Sequence, residues 1–266
     1  MNERLRSLFS SEPLRETAGL PDFRTDEEKA RAETQEASDA ENAFKNFFKR
    51  WPRFYDRLAL TVAPILFTGL TGEKFARRLS SEELLLNVGS GPTRLHANSV
   101  NADLFPFRNV DVLAVAERLP FNGASFDAIV CDQVLEHVED PQAVIREMTR
   151  VLKPGGSLYI GVPFMYPLHP SPKDYARWSA DGVASLLPGF EIIESGPAMG
   201  PTSGLLTVLA DWLALAFSFG LQPLRKALRY VFMLLLFPFK YLDLLFARYP
   251  GAETIAATVY LVAIKR

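Results

Sequence analysis

LLLNVGSG, residues 84–91, begins as a short apolar run and stops at a glycine-rich turn. That is the pattern of a strand buried on both faces whose end approaches something bound. Working outward, VNADL (100–104), VDVLAV (110–115), FDAIVCD (126–132) and SLYIGV (157–162) read as further strands. Between the last two, PQAVIREMTRVL (141–152) reads as a helix, with Pro141 in its first turn, Val144, Ile145, Met148 and Val151 along one face, and KPGG closing it. SADGVASLL (179–187) predicts another helix with Ser179 as its cap, followed by strands at FEIIES (190–195) and TIAATVYLVAIKR (254–266). Strands and helices in alternation predict a parallel sheet covered on both faces.

The rest of the chain frames this unit. Its 266 residues carry 29 Lys and Arg against 31 Asp and Glu, a net charge of -2, which provides no basic field for nucleic acid. The 48% hydrophobic and 23% charged content is that of a globular protein. The single cysteine, Cys131, excludes an internal disulfide, and His96, His137 and His169 lack metal-ligand spacing, so no metal is expected. The opening MNERLRSLFSSEPLRE holds no apolar run of signal-peptide length, and a reducing cytoplasm is the expected location.

Four regions are expected. Residues 1–43 form a polar tail or solvated helix, since DEEKARAETQEASDAEN (26–42) has almost no apolar face. Residues 44–80 form an aromatic-rich helical cover or lid, with Phe44, Phe47, Phe48, Trp51, Phe54 and Tyr55 at helical spacing and a break at Pro52. Residues 81–200 and 252–266 form the α/β domain. The segment 201–251 is an apolar helical insertion between the last two strands, built on LLTVLADWLALAFSFGL (205–221) and ALRYVFMLLLFPFKYLDLLFA (227–247). Asp211 in the first run, and Pro238, Lys240 and Asp243 in the second, make both poor spanning segments. An in-plane pair of helices at a membrane surface is expected, with a buried subdomain or dimer interface as the other reading.

Glycines at NVGSG let backbone approach a ligand, and Asp103, at the end of the second strand, offers a carboxylate to ribose hydroxyls. A nucleoside cofactor fits; the P-loop lysine needed for phosphate is missing. NVGSG, Asp103, AERLPF (116–121), FDAIVCDQVLEHVEDP (126–141) and VLKPGG (151–156), in this order, resemble the class I S-adenosylmethionine-dependent methyltransferases of the type 11 family. The resemblance covers about residues 84–195 and the final strand. It implies a Rossmann-like seven-stranded sheet, parallel but for an antiparallel last strand.

It further implies S-adenosylmethionine as cofactor, with Gly89, Ser90 and Gly91 passing beneath its methionine moiety. Asp103 would hold the ribose, Glu117 and Leu119 would edge the adenine, and Asp132 and Gln133 would face the methionine end. The family usually has acidic residues where this chain has Asn87 and Val115. Asn87 keeps a carbonyl acceptor, whereas Val115 can only pack, leaving adenine recognition to backbone groups. A degenerate fold serving as a membrane-recruited binding subunit is the alternative those two positions favour.

The loop PFMYPLHPSPKDYARWS (163–179) follows the fifth strand, where loops line the ligand crevice, and it concentrates Tyr166, His169, Asp174, Tyr175, Arg177 and Trp178. Acceptor binding explains that content, with His169 as base for a hydroxyl acceptor and Tyr175 and Arg177 as positioners. A clasp tying Arg177 to a carboxylate is the other reading. His137 in LEHVEDP has the chemistry of a base, and a role in shaping its loop is the competing account. The expected acceptor is a lipid-linked saccharide, a quinone or a similar hydrophobic small molecule.

Overall fold

The computed structural model describes residues 3–38, 63–169 and 173–266, with backbone alone at 34–38. Phe44, Phe47, Phe48, Trp51, Phe54 and Tyr55 of the expected aromatic cover lie outside the described residues. The described strands are β1 (Arg15–Thr17), β2 (Leu20–Asp22), β3 (Leu85–Val88), β4 (Ser99–Asp103), β5 (Val112–Leu113), β6 (Phe126–Asp132), β7 (Leu152–Pro163), β8 (Phe190–Met199) and β9 (Thr258–Lys265). They form one sheet in the order β1-β2-β5-β4-β3-β6-β7-β9-β8. β3 lies between β4 and β6, parallel to both, with all four of its residues buried. Leu86 and Val88 face the core that holds Ile129 and Leu158, while Leu85 faces the core of Val130 and Tyr159, the two-residue alternation of a strand covered on both sides. β9 runs antiparallel to both β7 and β8.

The seven strands from β5 to β8 are those expected, but the sheet has nine. The correction lies in residues 15–22, expected to be polar tail. They form a hairpin whose turn, Ala18-Gly19, takes φ of 53° and 75°, and β2 adds parallel to β5 through Asp22 and Leu113. Asp22 and Arg24 look like surface charges in sequence, yet they are 0% and 3% exposed. Arg24 clamps Asp22 with two hydrogen bonds, Nε to Oδ1 at 2.8 Å and a terminal nitrogen to Oδ2 at 2.7 Å, and reaches the Leu104 carbonyl at 2.8 Å. Burial pushes the Asp22 carboxyl up, and the hydrogen bonds from Arg24 and Thr17 outweigh it, holding the group down at about 2.

Helices α1 (Glu3–Ser7), α2 (Asp26–Ser38), α3 (Gly72–Ala76), α4 (Pro141–Val151) and α5 (Ala180–Ala184) accompany the sheet. α4 starts where Asp140 accepts the Ala143 N–H at 2.9 Å, and Pro141 sits where no N–H is needed. It buries Val144, Ile145, Met148 and Val151, each contributing about 1.5–3 kcal/mol of apolar transfer. β7 follows at once: Leu152 pairs with Phe126 and Ser157 with Ala128, so the KPGG turn expected to precede the strand bulges within it.

The insertion comprises α6 (Pro201–Phe217), α7 (Gln222–Leu236), a 3-10 turn at Phe237–Leu242 and α8 (Asp243–Phe246). It leaves the sheet at Met199 and returns at Thr258, residues that pair with each other. α6 is rooted by Gly204, where an added Cβ would stand 2.4 Å from the Ile255 carbonyl oxygen. α7 buries none of its residues. Trp212, Phe219 and Leu235 are 61%, 85% and 61% exposed, an outlay of apolar surface that a free aqueous domain seldom tolerates. Among the described residues, no helix is long and apolar enough to cross a membrane.

Candidate active site

The chain reverses direction across the sheet at β3, since β4 and β5 lie on one side of it and β6 and β7 on the other. Such a switch point opens a crevice beyond the carboxyl ends of the strands. Here it is a cleft of about 890 Å³, lined by Gly89, Gly91, Asp103, Val115, Glu117 and Gln133 among others. Its size suits a nucleoside-bearing ligand.

The floor follows from the glycine turn. Gly89 has φ +63°, and a Cβ there would lie 2.4 Å from Val134 Cγ2, so only glycine lets the chain turn beneath the cleft. Gly91, at φ +54°, donates its N–H to Asp103 Oδ2 at 2.7 Å, while the Phe105 N–H donates to Oδ1 at 2.9 Å. The end of β4 and the turn after β3 are thereby locked together. Burial pushes the Asp103 carboxyl up against these backbone donors. Glu117 is pushed up too, by burial first and then by the charges of Glu28, Asp140 and Glu139.

Gly89, Gly91, Asp103, Glu117, Leu119, Gln133 and Tyr175 all line the cleft, so the structure brings most of the expected residues together. Five others stand outside its lining. Asn87 is buried and donates to the Thr93 carbonyl at 3.3 Å, and the Ser90 hydroxyl donates to the Gly91 carbonyl at 3.1 Å. Asp132 packs over Gly161 and accepts the Gly72 N–H at 3.3 Å. Burial, reinforced by Glu136, pushes its carboxyl up to about 6. His169 and Arg177 are not among the residues that line the cleft.

The 163–179 loop is tied together by Asp174. Arg177 forms a two-pronged ion pair with it, one prong at 2.6 Å, and also donates to the carbonyls of Tyr166 and Pro167, each at 3.1 Å. Those Arg177 hydrogen bonds hold the Asp174 carboxyl down at about 2. The Tyr175 hydroxyl donates to Glu139 at 2.6 Å, and its N–H to the Glu136 carbonyl at 2.7 Å. The pair of Arg177 and Asp174 is the clasp of the second reading, and Tyr175 of the same loop lines the cleft.

Two features escaped the sequence reading. Glu27, Glu28 and Arg31 of α2 line the cleft, and Glu28 pairs with Arg118 at 2.8 Å beside the AERLPF stretch. The signal was a capping box, Thr25 to Glu28, with the Thr25 N–H bonded to Glu28 at 2.7 Å and the Glu28 N–H to the Thr25 hydroxyl at 3.2 Å. The second is Glu136, 0% exposed, whose carboxylate oxygens have no hydrogen-bond partner among the described residues.

Residues 86–160 match the family model described as a methyltransferase domain. The matched segment holds most of β3, the glycine turn after it, β4 to β6 and most of β7, the part of the sheet that frames the cleft. The ubiquinone biosynthesis O-methyltransferase of Acinetobacter baumannii (strain AYE) is 28% identical over 125 residues, 45% of this chain and 49% of that protein. Its counterpart in Xanthomonas oryzae pv. oryzae (strain PXO99A) is 38% identical over 99 residues, 36% and 37% of the two chains. The chain thus spans about half the length, or less, of these curated relatives. Among solved structures, the 1,6-didemethyltoxoflavin-N1-methyltransferase of Burkholderia thailandensis, with bound 1,6-didemethyltoxoflavin and S-adenosylhomocysteine, aligns with a TM-score of 0.48 at 13% identity, covering 96% of this chain and 99% of that one.

Proposed function

We propose that the protein is an S-adenosylmethionine-dependent methyltransferase that works at the inner face of the cytoplasmic membrane on a hydroxyl of a hydrophobic small molecule, such as a quinone precursor or a lipid-linked saccharide. One observation carries this reading: the turn at Gly89, packed too closely on Val134 to carry a side chain, lies beside the Asp103 carboxylate in a cleft of nucleoside size. S-adenosylmethionine, when bound there, supplies an electrophilic methyl group on a sulfonium centre. Gly89, Gly91 and Gln133 would pass close to its methionine end, Asp103 would accept from the ribose hydroxyls, and Glu117 and Leu119 would edge the adenine. Asn87, Ser90 and Asp132 would act from beneath, holding the turn and the ends of β3 and β6.

Tyr175 on the cleft wall would position the acceptor, Arg177 would fix the loop through Asp174, and the pair formed by His169 and His137, of which His137 lines the cleft, would take the acceptor's proton. Orientation supplies most of the rate, up to roughly 7–11 kcal/mol, so the base needs only to be in place. The name shared by the curated relatives supports oxygen as the methylated atom. The unburied α7, with Trp212 and Phe219, supports a membrane surface as the place where a hydrophobic acceptor is met. Calorimetry with S-adenosylmethionine and S-adenosylhomocysteine tests the reading: micromolar binding is expected. No heat at millimolar ligand would leave the second reading, a binding subunit without catalysis, which the uncharged Asn87 and Val115 favour.

A further inference from the structure

Glu136 is the most conspicuous charge in the molecule. Its side chain is fully buried, and neither oxygen has a hydrogen bond among the described residues. Burying an unpaired carboxylate is costly enough that a fold keeps one only with compensation elsewhere. The groups facing it are two imidazoles: His137 Nε2 stands 3.8 Å from Oε1, and His169 Nε2 stands 3.7 Å from the same oxygen. The two rings meet edge to face with centroids 5.2 Å apart.

The imidazoles are not equivalent. The Lys173 carbonyl oxygen lies 2.6 Å from His137 Nδ1, and because a carbonyl can only accept, that nitrogen carries the hydrogen. Nε2 of His137 is left as the acceptor, on a ring that lines the cleft. His169 likewise meets a carbonyl at Nδ1, that of Pro167 at 3.2 Å, with Asp174 at 3.3 Å and Arg177 at 3.4 Å beside it, and turns Nε2 to Glu136, but its ring is not among those that line the cleft.

Building on the methyltransferase reading, we propose that Glu136 is the buried counter-charge of a paired-imidazole base, in which His137 takes the acceptor's proton and His169 steadies the far side. As the acceptor oxygen bonds to the methyl carbon, the carbon–sulfur bond breaks and its electron pair stays on sulfur, turning the sulfonium into a neutral thioether. The hydroxyl proton passes to His137 Nε2, and the positive charge that forms there lies against Glu136. The other charged or titratable groups around the cluster are Asp174 and Arg177 behind His169, Tyr166 against its ring, Lys173, Glu139 and Tyr175 along the wall, and Asp132 at the end of β6. A divalent cation would draw its donors to about 2 Å from one centre, hence to about 3.4 Å from one another. The three donors here lie within 4.8 Å of one another, so a cation is the competing occupant that the test must exclude.

The test compares the full chain as wild type, Glu136→Gln and His137→Gln. Glu136→Gln is expected to unfold at the same or a higher temperature than wild type, as a relieved buried charge should; a merely structural carboxylate would show a drop. With catechol as the probe acceptor, kcat is expected to fall at least tenfold with KM for S-adenosylmethionine within twofold, and His137→Gln to match it. A lowered unfolding temperature of Glu136→Gln, an undiminished kcat, or a kcat lost on chelation and restored by Mg²⁺ or Zn²⁺ would each overturn the proposal. If the wild type fails to bind S-adenosylhomocysteine, the methyltransferase reading falls by itself, while the unfolding temperature of Glu136→Gln still judges the Glu136 pairing.

Discussion

Asp243, the first residue of α8, caps the buried start of α6 through Ser203: Oδ2 accepts both the Ser203 N–H at 2.8 Å and the Ser203 hydroxyl at 2.6 Å. Its other oxygen takes the Thr202 N–H at 2.7 Å. Asp243→Ala strands three buried donors and is expected to lower stability by about 2–3 kcal/mol, read by chemical unfolding, with Asp243→Asn losing less. S-adenosylhomocysteine affinity should stay within twofold, since the cap lies in the insertion rather than in the cleft.

Gly89 and Gly91 both have positive φ but differ in surroundings. Gly89→Ala collides with Val134 and is expected to weaken S-adenosylhomocysteine binding more than tenfold. Gly91→Ala meets nothing within 4 Å and carries only backbone strain of about 1–2 kcal/mol, so its calorimetric loss should be smaller. Equal losses would contradict this role of the Gly89 turn.

Two buried carboxylates give opposite pH dependences. Asp22 is held at about 2 against an ordinary 3.8, so its contribution, about 2 kcal/mol, is complete above pH 3.8 and is lost as pH falls from about 4 to about 2. Asp132 is raised to about 6, so the folded state binds its proton more tightly and stability declines by up to about 3 kcal/mol as pH rises from 3.8 to 6. Asp132→Asn is therefore expected to raise the unfolding temperature at pH 8 and leave it unchanged at pH 4.

The contact between Glu28 and Arg118 fastens α2 beside the cleft. As a partly exposed ion pair it contributes about 0.2–1 kcal/mol, so Arg118→Ala should weaken S-adenosylhomocysteine binding about two- to fivefold. Raising salt to 1 M should shrink that difference. No change at low salt would detach α2 from ligand binding.

Because α7 buries nothing, Leu234→Glu combined with Leu235→Glu should leave the unfolding temperature within about 2 °C of wild type. The same double change is expected to abolish flotation with anionic liposomes, which the wild type should show at low salt. A wild-type chain that stays in the supernatant would remove the membrane from the proposal.

Much of this fold could be read directly because its signals are local and apolar. FDAIVCD (126–132) forms β6 with the same limits, and the face of Val144, Ile145, Met148 and Val151 is the buried face of α4. The glycine turn and Asp103 meet because strand ends and the loops beyond them are set by that same alternation. The edge hairpin was illegible because its strands are three residues long and its buried pair, Asp22 and Arg24, stabilises by mutual charge rather than by apolar pattern. α2 was legible as a helix but not as a cleft wall, since a polar helix carries no mark of which polar ligand it faces. Glu136 stayed hidden for a related reason: nothing within a Leu-Glu-His run tells that its carboxylate will be fully buried with His169 facing it.

The pairing of Met199 with Thr258 means that the excursion between them begins and ends at one rung of the ladder. It is a closed handle, and its length and composition can change without shifting the register of any other strand. A lineage could exchange this handle, which stands on the same edge of the sheet as the cleft, while the turn after β3 and the end of β4 go on unaltered.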